Sequence, residues 1–322
     1  MAESDRIAAQ AEAEVAPARV AAGARVARAA TPALFLLPAG VLIALFFLVP
    51  VATTLYLSLT DISTLTFRQP RWVGLANYRD LLTDPFLPRI LLNTVRYVVL
   101  TLLFNVGMGL TLAVLTTAVR PGIGNQARAL WLLPRILPPV VYVLVWQGIS
   151  REAPYGLLGI LTGSSRGWIT SHPWATVVLA NGLVGASFGM LIFTSAIRSI
   201  SPELFYAAAV DGATTWQTVR RVVLPLLRWP ILFVTAYQTL SLLTSFEYIL
   251  LLTDGGPGFY TTTVWSLHAY KLALSNYYGN VQFGLGAAMA AVLVVVGVVV
   301  SVVYLRVFNF RQLVGEPRIE VS

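Results

Sequence analysis

Six stretches of the chain are long and predominantly apolar, at about 33–59, 90–118, 128–150, 173–197, 229–253 and 282–307. About 20 such residues wound as a helix match the hydrocarbon thickness of a bilayer. In lipid every backbone N–H and C=O must find its partner inside the protein, and an isolated apolar run does this as a helix. The expected fold is therefore an all-α integral membrane protein with six transmembrane helices. The composition agrees: 57% of residues are hydrophobic and 11% charged, with a mean hydropathy of +0.74, outside the range of soluble domains.

Other classes are narrowed by what the sequence carries. With no cysteine, no disulfide framework, cysteine nucleophile or thiolate metal site is available. His172 and His268, the two histidines, lie far apart and without local carboxylate pairs, so no metal and no histidine-based catalysis is expected. The net charge is +8, and all basic residues except Lys271 are arginine. In a membrane chain such an excess reflects basic residues held at the cytoplasmic face, so no nucleic acid is expected as a partner. Lys271 follows Tyr270, whereas a phosphate-cradling Walker A loop ends in Gly-Lys-Ser/Thr. The chain is read as no enzyme, and any energy from ATP must come from another subunit.

Basic residues in the loops set the orientation. With the N-terminus inside, thirteen arginines fall in the inner segments, and six arginines with Lys271 in the outer ones. Both termini are expected in the cytoplasm, with residues 1–32 as an N-terminal tail, 33–307 as the transmembrane domain and 308–322 as a C-terminal tail. The tail 1–32 has no apolar core of a secretory signal, and the first apolar run reads as a retained anchor.

The same count puts the polar segment 201–228, between spans four and five, in the cytoplasm. Ser201, Pro202 and Glu203 form a helix start: a hydroxyl to cap free N–H groups, proline at the first position and an acid in the positive first turn. Gly212 can take the positive φ that ends a helix. Thr214 and Gln217 make a capping box that opens a second helix, expected to stop at Pro225. Ala207, Ala208 and Ala209 give the first helix a low-relief face that another protein can approach. A hairpin resting on lipid headgroups is the alternative reading.

This segment resembles the EAA loop of binding-protein-dependent ABC importer permeases, in which Glu-Ala-Ala-x-x-Asp-Gly-Ala is followed by an apolar-Leu-Pro end. Ala207, Ala208, Asp211, Gly212, Ala213, Leu224 and Pro225 match it position by position, while Tyr206 stands where the family usually has Glu. Glu203, three residues earlier and on the same helix face, is the nearest acid to replace it. WVGLANYRDLL at 72–82, Asn93-Thr94, FEYILLLTDGGP at 246–257 and FGLGAAMA at 283–290 are similar to segments of the carbohydrate-uptake branch, which includes maltose/trehalose-type and glycerol-phosphate-type permeases. The resemblance implies a permease subunit forming half of a sugar path and coupled through the loop to an ATPase. The implied partners are a second homologous permease, two ATP-binding subunits holding ATP and Mg, an extracytoplasmic solute-binding (lipo)protein and membrane lipid, in a bacterial plasma membrane. A glycerophosphodiester importer is the alternative within this branch. From another class the alternative is a secondary transporter, which commonly carries internal repeats and midplane acids.

Polar residues within spans are costly and usually face a bundle interior or a wet path. Asn105, Asn181, Tyr237, Gln238 and Glu247 are the candidate path residues, with Trp146 and Gln147 as neighbours; for Asn105 and Gln238, helix bridging is the equal alternative. Glu247 and Arg96 lie at similar expected depth, about 9 Å from the outer helix ends, and are either an ion pair or a substrate contact. Arg135 is expected to snorkel to the cytoplasmic headgroups.

Overall fold

The computed structural model describes residues 35–275 and 279–308. The expected tails lie outside these residues, apart from Phe308. The chain divides into two compact units between Tyr56 and Leu57. The first contributes α1, Phe35–Leu57, 23 apolar residues that reach about 35 Å at 1.5 Å per residue.

The second unit is helical throughout, with no strand among the described residues beyond an isolated bridge between Thr60 and Trp72. Its elements are α2 (Ala76–Thr83), α3 (Leu87–Ala118), α4 (Pro121–Ile136), α5 (Pro139–Ile149), α6 (Leu157–Thr162), α7 (Trp168–Ser171), α8 (Pro173–Arg198) and α9 (Pro202–Val210). A continuous helical run α10 follows, composed of Thr215–Thr218, a π turn at Val219–Val223 and Leu224–Leu226; then come α11 (Arg228–Thr244), α12 (Glu247–Thr253), α13 (Trp265–Leu274) and α14 (Phe283–Val307).

Four helices, α1, α3, α8 and α14, are individually long and apolar enough to cross a membrane, and α4 with α5 makes a fifth candidate bent by 101°. The apolar run at 128–150 is thus a broken element. Pro138 and Pro139 supply no N–H to continue the ladder, so the chain turns after Ile136. The expected turn at 119–127 is also shorter than its composition suggests, because Pro121 is the first residue of α4, where its fixed φ suits a helix start. The fifth run breaks at Ser245 and Phe246. The outer loop expected at 254–281 contains α13, and the stretch at 60–89 contains α2.

The centre of the bundle is the crossing of α3 and α8, which small residues bring close. A Cβ on Gly109 would come within 2.9 Å of the Ala186 carbonyl oxygen, and one on Gly185 within 2.2 Å of the Asn105 amide. Around this crossing Tyr97, Val98, Val177, Leu242, Ile249, Val264 and Leu267 form one core cluster. At one end of α3 the Asn93 amide donates to the carbonyls of Tyr260 (2.7 Å) and Thr263 (3.1 Å), and the Thr94 hydroxyl accepts from the Trp265 N–H at 2.8 Å. The Asn-Thr pair therefore ties the 260–265 segment to the bundle. Asn77 donates to the carbonyls of Ser58 and Thr60, both at 2.8 Å. At the other end, buried Arg128 donates to the Thr116 carbonyl at 3.0 Å and also engages Asn125.

Candidate functional site

The hairpin between α8 and α11 is built from strictly local signals. Pro202 opens α9 with Glu203 in its first turn; Ser201 occupies the cap position, but its hydroxyl makes no capping bond, contrary to expectation. At the far end Ala213 N–H donates to the Ala208 carbonyl (2.9 Å) and Gly212 N–H to that of Ala209 (3.1 Å), the paired bonds of a Schellman stop. Gly212 sits at φ +69°, where a side chain is strained although nothing crowds its Cβ position. The capping box follows, with Thr214 N–H donating to Gln217 Oε1 (2.8 Å) and Gln217 N–H to Thr214 Oγ1 (3.3 Å).

Pro225 does not stop the second helix, which continues to Leu226. The π turn at Val219–Val223 widens the helix immediately before the proline ring, where an ordinary α turn would clash.

The hairpin shows two faces. Phe205, Val223 and Leu227 pack inward against Ala113, Phe193 and Ile197. Behind them, a cavity of about 640 Å³ opens between the hairpin and the ends of α3 and α8, lined by Val114, Ile197, Phe205 and Thr218 among others. Glu203, Ala207, Asp211 and Gly212 are exposed, with Pro225 farther along, as is Tyr206, which also lines the mouth of that cavity; Ala208 and Leu224 are half-buried. Tyr206 is 69% exposed, Val210 88% and Trp216 68%, so large apolar side chains project beside the exposed charges of Glu203, Asp211, Arg220 and Arg221.

The second place of interest lies where α11 breaks. A cavity of about 160 Å³ is lined by Asn181, Tyr237, Gln238, Ser241, Ser245 and Tyr248, together with Phe188 and Arg135. The structure thus gathers three of the five candidate path residues. Asn181 donates to the Tyr97 hydroxyl and, at 3.3 Å, to Ser245 Oγ. Gln238 donates to the Gly185 carbonyl at 2.9 Å. Asn105 is fully buried behind it, 3.3 Å from the Gln238 amide oxygen. With its amide turned by half a rotation, it donates to the carbonyls of Gly182 and Thr101 at 3.1 Å. Asn105 therefore bridges helices and does not line the cavity. Glu247 is exposed at the start of α12, next to Tyr248.

Two arginines of the apolar runs meet aromatic rings. Arg96 lies over the Trp174 ring at 4.8 Å, and the ion pairs found among the described residues are His268 with Asp84 (3.7 Å) and Lys271 with Asp254 (2.7 Å), so Arg96 and Glu247 do not pair. Arg135, in the last turn of α4, lies over the Phe188 ring at 5.7 Å and lines the cavity. Phe188 in turn stacks on Tyr237 at 4.6 Å. Trp146 is buried in another cluster, and Gln147 donates to the Leu251 carbonyl at 3.0 Å, so neither reaches the cavity. Sequence reasoning did not single out Phe188 or Tyr248, which look like any aromatic in an apolar run. For Arg135, the pair Pro138-Pro139 just beyond it was the available signal.

Outside the apolar runs, His268 is buried between Asp84 and Lys271. Burial lowers its pKa below the ordinary 6.5, and the Lys271 charge acts the same way; the Asp84 carboxylate opposes them. Among the described residues no three His, Asp or Glu side chains converge as a metal site would require.

Helices that break beside a polar cavity within an apolar bundle are one way transport proteins bring side chains and freed backbone groups to membrane depth, and the arrangement fits a membrane transport protein. The chain belongs to the family described as binding-protein-dependent transport system inner membrane component, which it matches over residues 26–313. It is 31% identical over 280 residues to a probable ABC transporter permease of Pyrococcus horikoshii, covering 84% of this chain and 93% of the relative. It is 28% identical over 285 residues to MalF, the trehalose/maltose transport system permease of Thermococcus litoralis, covering 87% and 94%. Among solved structures, a chain of a bacterial ABC transporter that imports the acidic polysaccharide alginate superposes with a TM-score of 0.72 at 25% identity, covering 91% of this chain and 98% of that one.

Proposed function

We propose that the chain is the permease subunit of an ATP-driven sugar importer in a bacterial plasma membrane, forming half of the translocation path. Six spans cross the bilayer, with the third and fifth each built from the two arms of a broken helix, and both termini lie in the cytoplasm. The tail 1–32 precedes the transmembrane domain 33–307, and 308–322 follows it. A second homologous permease completes the path, two subunits that bind ATP and Mg drive it, and an extracytoplasmic solute-binding protein delivers the sugar.

The observation that carries this reading is the hairpin 201–228. Its caps make it rigid as a unit, its outer face exposes Tyr206, Val210 and Trp216, and the sequence carries no Walker A lysine. Glu203, Tyr206, Ala207, Ala208, Asp211, Gly212, Leu224 and Pro225 seat on the ATPase. Asn181, Tyr237 and Gln238 line the sugar path, with Asn105 behind them and Glu247 beside it. Closure of the ATPase pair on ATP moves the hairpins, rocks the two permeases and opens the path outward; hydrolysis resets it. The named sugars of relatives, trehalose and maltose among them, support a saccharide as cargo.

Gly212→Trp tests this. The bulky residue strains the turn at φ +69° by about 1–2 kcal/mol and distorts the seat. In the reconstituted importer the expected result is ATP hydrolysis without uptake. Normal uptake by this variant would count against the hairpin as the coupling element.

A further inference from the structure

We propose that Arg135 makes the cavity at the α11 break selective for a saccharide bearing an acidic group, with the guanidinium pairing with that group and Phe188 and Tyr237 packing against the sugar ring. This rests on the importer reading of the cavity and adds the charge class of the cargo.

The first support is position. Arg135 is in the last turn of α4, one residue before its end, and Pro138 and Pro139 then turn the chain through 101°. The break delivers the guanidinium to the cavity wall. A charge within an apolar stretch is expensive unless it meets a partner or a wet path.

The second support is that Arg135 has no polar partner among the described residues. Among the described residues no ion pair or hydrogen bond engages it, and its contact is the Phe188 ring. Arg128, seven residues earlier on the same helix, is by contrast held by Thr116 and Asn125. A guanidinium lying over an aromatic face keeps the donors along its edge free. Those donors form a planar fork matched to a carboxylate.

The third support is the charge of the lining. Asn181, Gln238, Ser241, Ser245 and the two tyrosines are neutral hydrogen-bonding groups, and no acid is among the lining residues. Glu247 adjoins Tyr248 but does not line the space. The wall therefore carries a single fixed charge, and it is positive. A neutral sugar leaves that cation without a counter-charge, whereas an acidic sugar neutralises it. The stacked Phe188 and Tyr237 rings offer an apolar face beside the charge, which suits a pyranose with its acid at the edge.

The test is equilibrium binding to the full chain in lipid nanodiscs, with a mannuronate disaccharide as the acidic probe and trehalose as the neutral one. The acidic probe is expected to bind the unsubstituted chain about tenfold more tightly than trehalose. Arg135→Gln should remove that preference, and Arg135→Lys, which keeps the charge but not the fork, should retain part of it. Equal weakening of both probes by Arg135→Gln, or a preference for trehalose in the unsubstituted chain, overturns the proposal. ATP-dependent trehalose uptake by the assembled transporter alongside either result would leave the importer reading standing and sink the charge selectivity alone. An acidic preference lost on Arg135→Gln, without ATP-dependent uptake of either sugar, would do the reverse.

Discussion

The segment 254–275 and the hairpin 201–226 are both polar interruptions between apolar helices, yet they are attached to the bundle by opposite means. The first is stitched in by directional bonds: Asn93 to Tyr260 and Thr263, Thr94 to Trp265, Ser266 to the Ser245 carbonyl at 3.0 Å, and Trp265 Nε1 to the Met289 carbonyl at 2.9 Å. The second keeps its hydrogen bonds to itself, apart from the Leu227 N–H, which donates to the Val223 carbonyl at 2.9 Å where the chain runs on into α11. Its caps and helix ladder bond within the segment, and it meets the bundle through Phe205, Val223 and Leu227 in an apolar contact. Directional bonds fix an element in one pose, while apolar contact is non-directional and tolerates a small roll at little cost. One segment is thus fixed in a single pose and the other is free to roll, which suits the coupling role proposed for the hairpin.

Substitutions at the two ends should separate these modes of attachment. Asn93→Leu leaves two carbonyls without their donor, at about 1–3 kcal/mol each, and should give the largest fall in thermal midpoint of the purified protein in detergent. A midpoint unchanged by this substitution would deny the stitched description. Phe205→Ala loosens the hairpin from α3 and α8; with the ring only half-buried, a loss of about 2 kcal/mol is expected, below the full Phe→Ala range. The signature to look for is faster amide exchange confined to 202–226. Exchange that spreads evenly over the chain would mean the hairpin is no separate body. Thr214→Ala removes one arm of the capping box, worth about 1 kcal/mol, and should fray only the Thr215–Thr218 turn.

The smallest effect concerns acid. His268 is held in its neutral form by burial, so its folded pKa lies below 6.5, while the unfolded ring takes up a proton at its ordinary value. Its contribution to stability is complete above pH 6.5 and is lost as the pH falls through the lowered folded value. The thermal midpoint should drop between about pH 7.5 and about pH 5, and His268→Gln should flatten that drop. An identical pH profile in the variant would place the acid sensitivity elsewhere.

What the sequence made legible follows the range of the signals. The hairpin could be read almost residue by residue because Pro202, Gly212 and the Thr214/Gln217 box act over three or four positions. The apolar helices were equally plain, since hydropathy reports composition over a window. Their breaks were not: a window cannot see that Pro138-Pro139 bends one run, and Ser245-Phe246 breaks another without proline or glycine. The cavity was half-legible for the same reason. Asn181, Tyr237 and Gln238 announced themselves as polar groups among apolar ones. Arg135 became a cavity residue at the 101° turn, Phe188 looked like any other aromatic of an apolar run, and Asn105 moved out of the cavity because Gly185 lets α3 and α8 close around its amide.

The central claim, that a nucleotide-hydrolysing partner grips the hairpin, is open to a direct measurement because the chain has no cysteine. Tyr206→Cys introduces one thiol at the most projecting aromatic of α9, and a bifunctional cross-linker applied to the assembled transporter should join it to the ATP-binding subunit, with the adduct changing in yield when ATP is added. Labelling of Tyr206→Cys by a membrane-impermeant maleimide from outside intact cells, with no adduct to an ATP-binding subunit, would contradict the account.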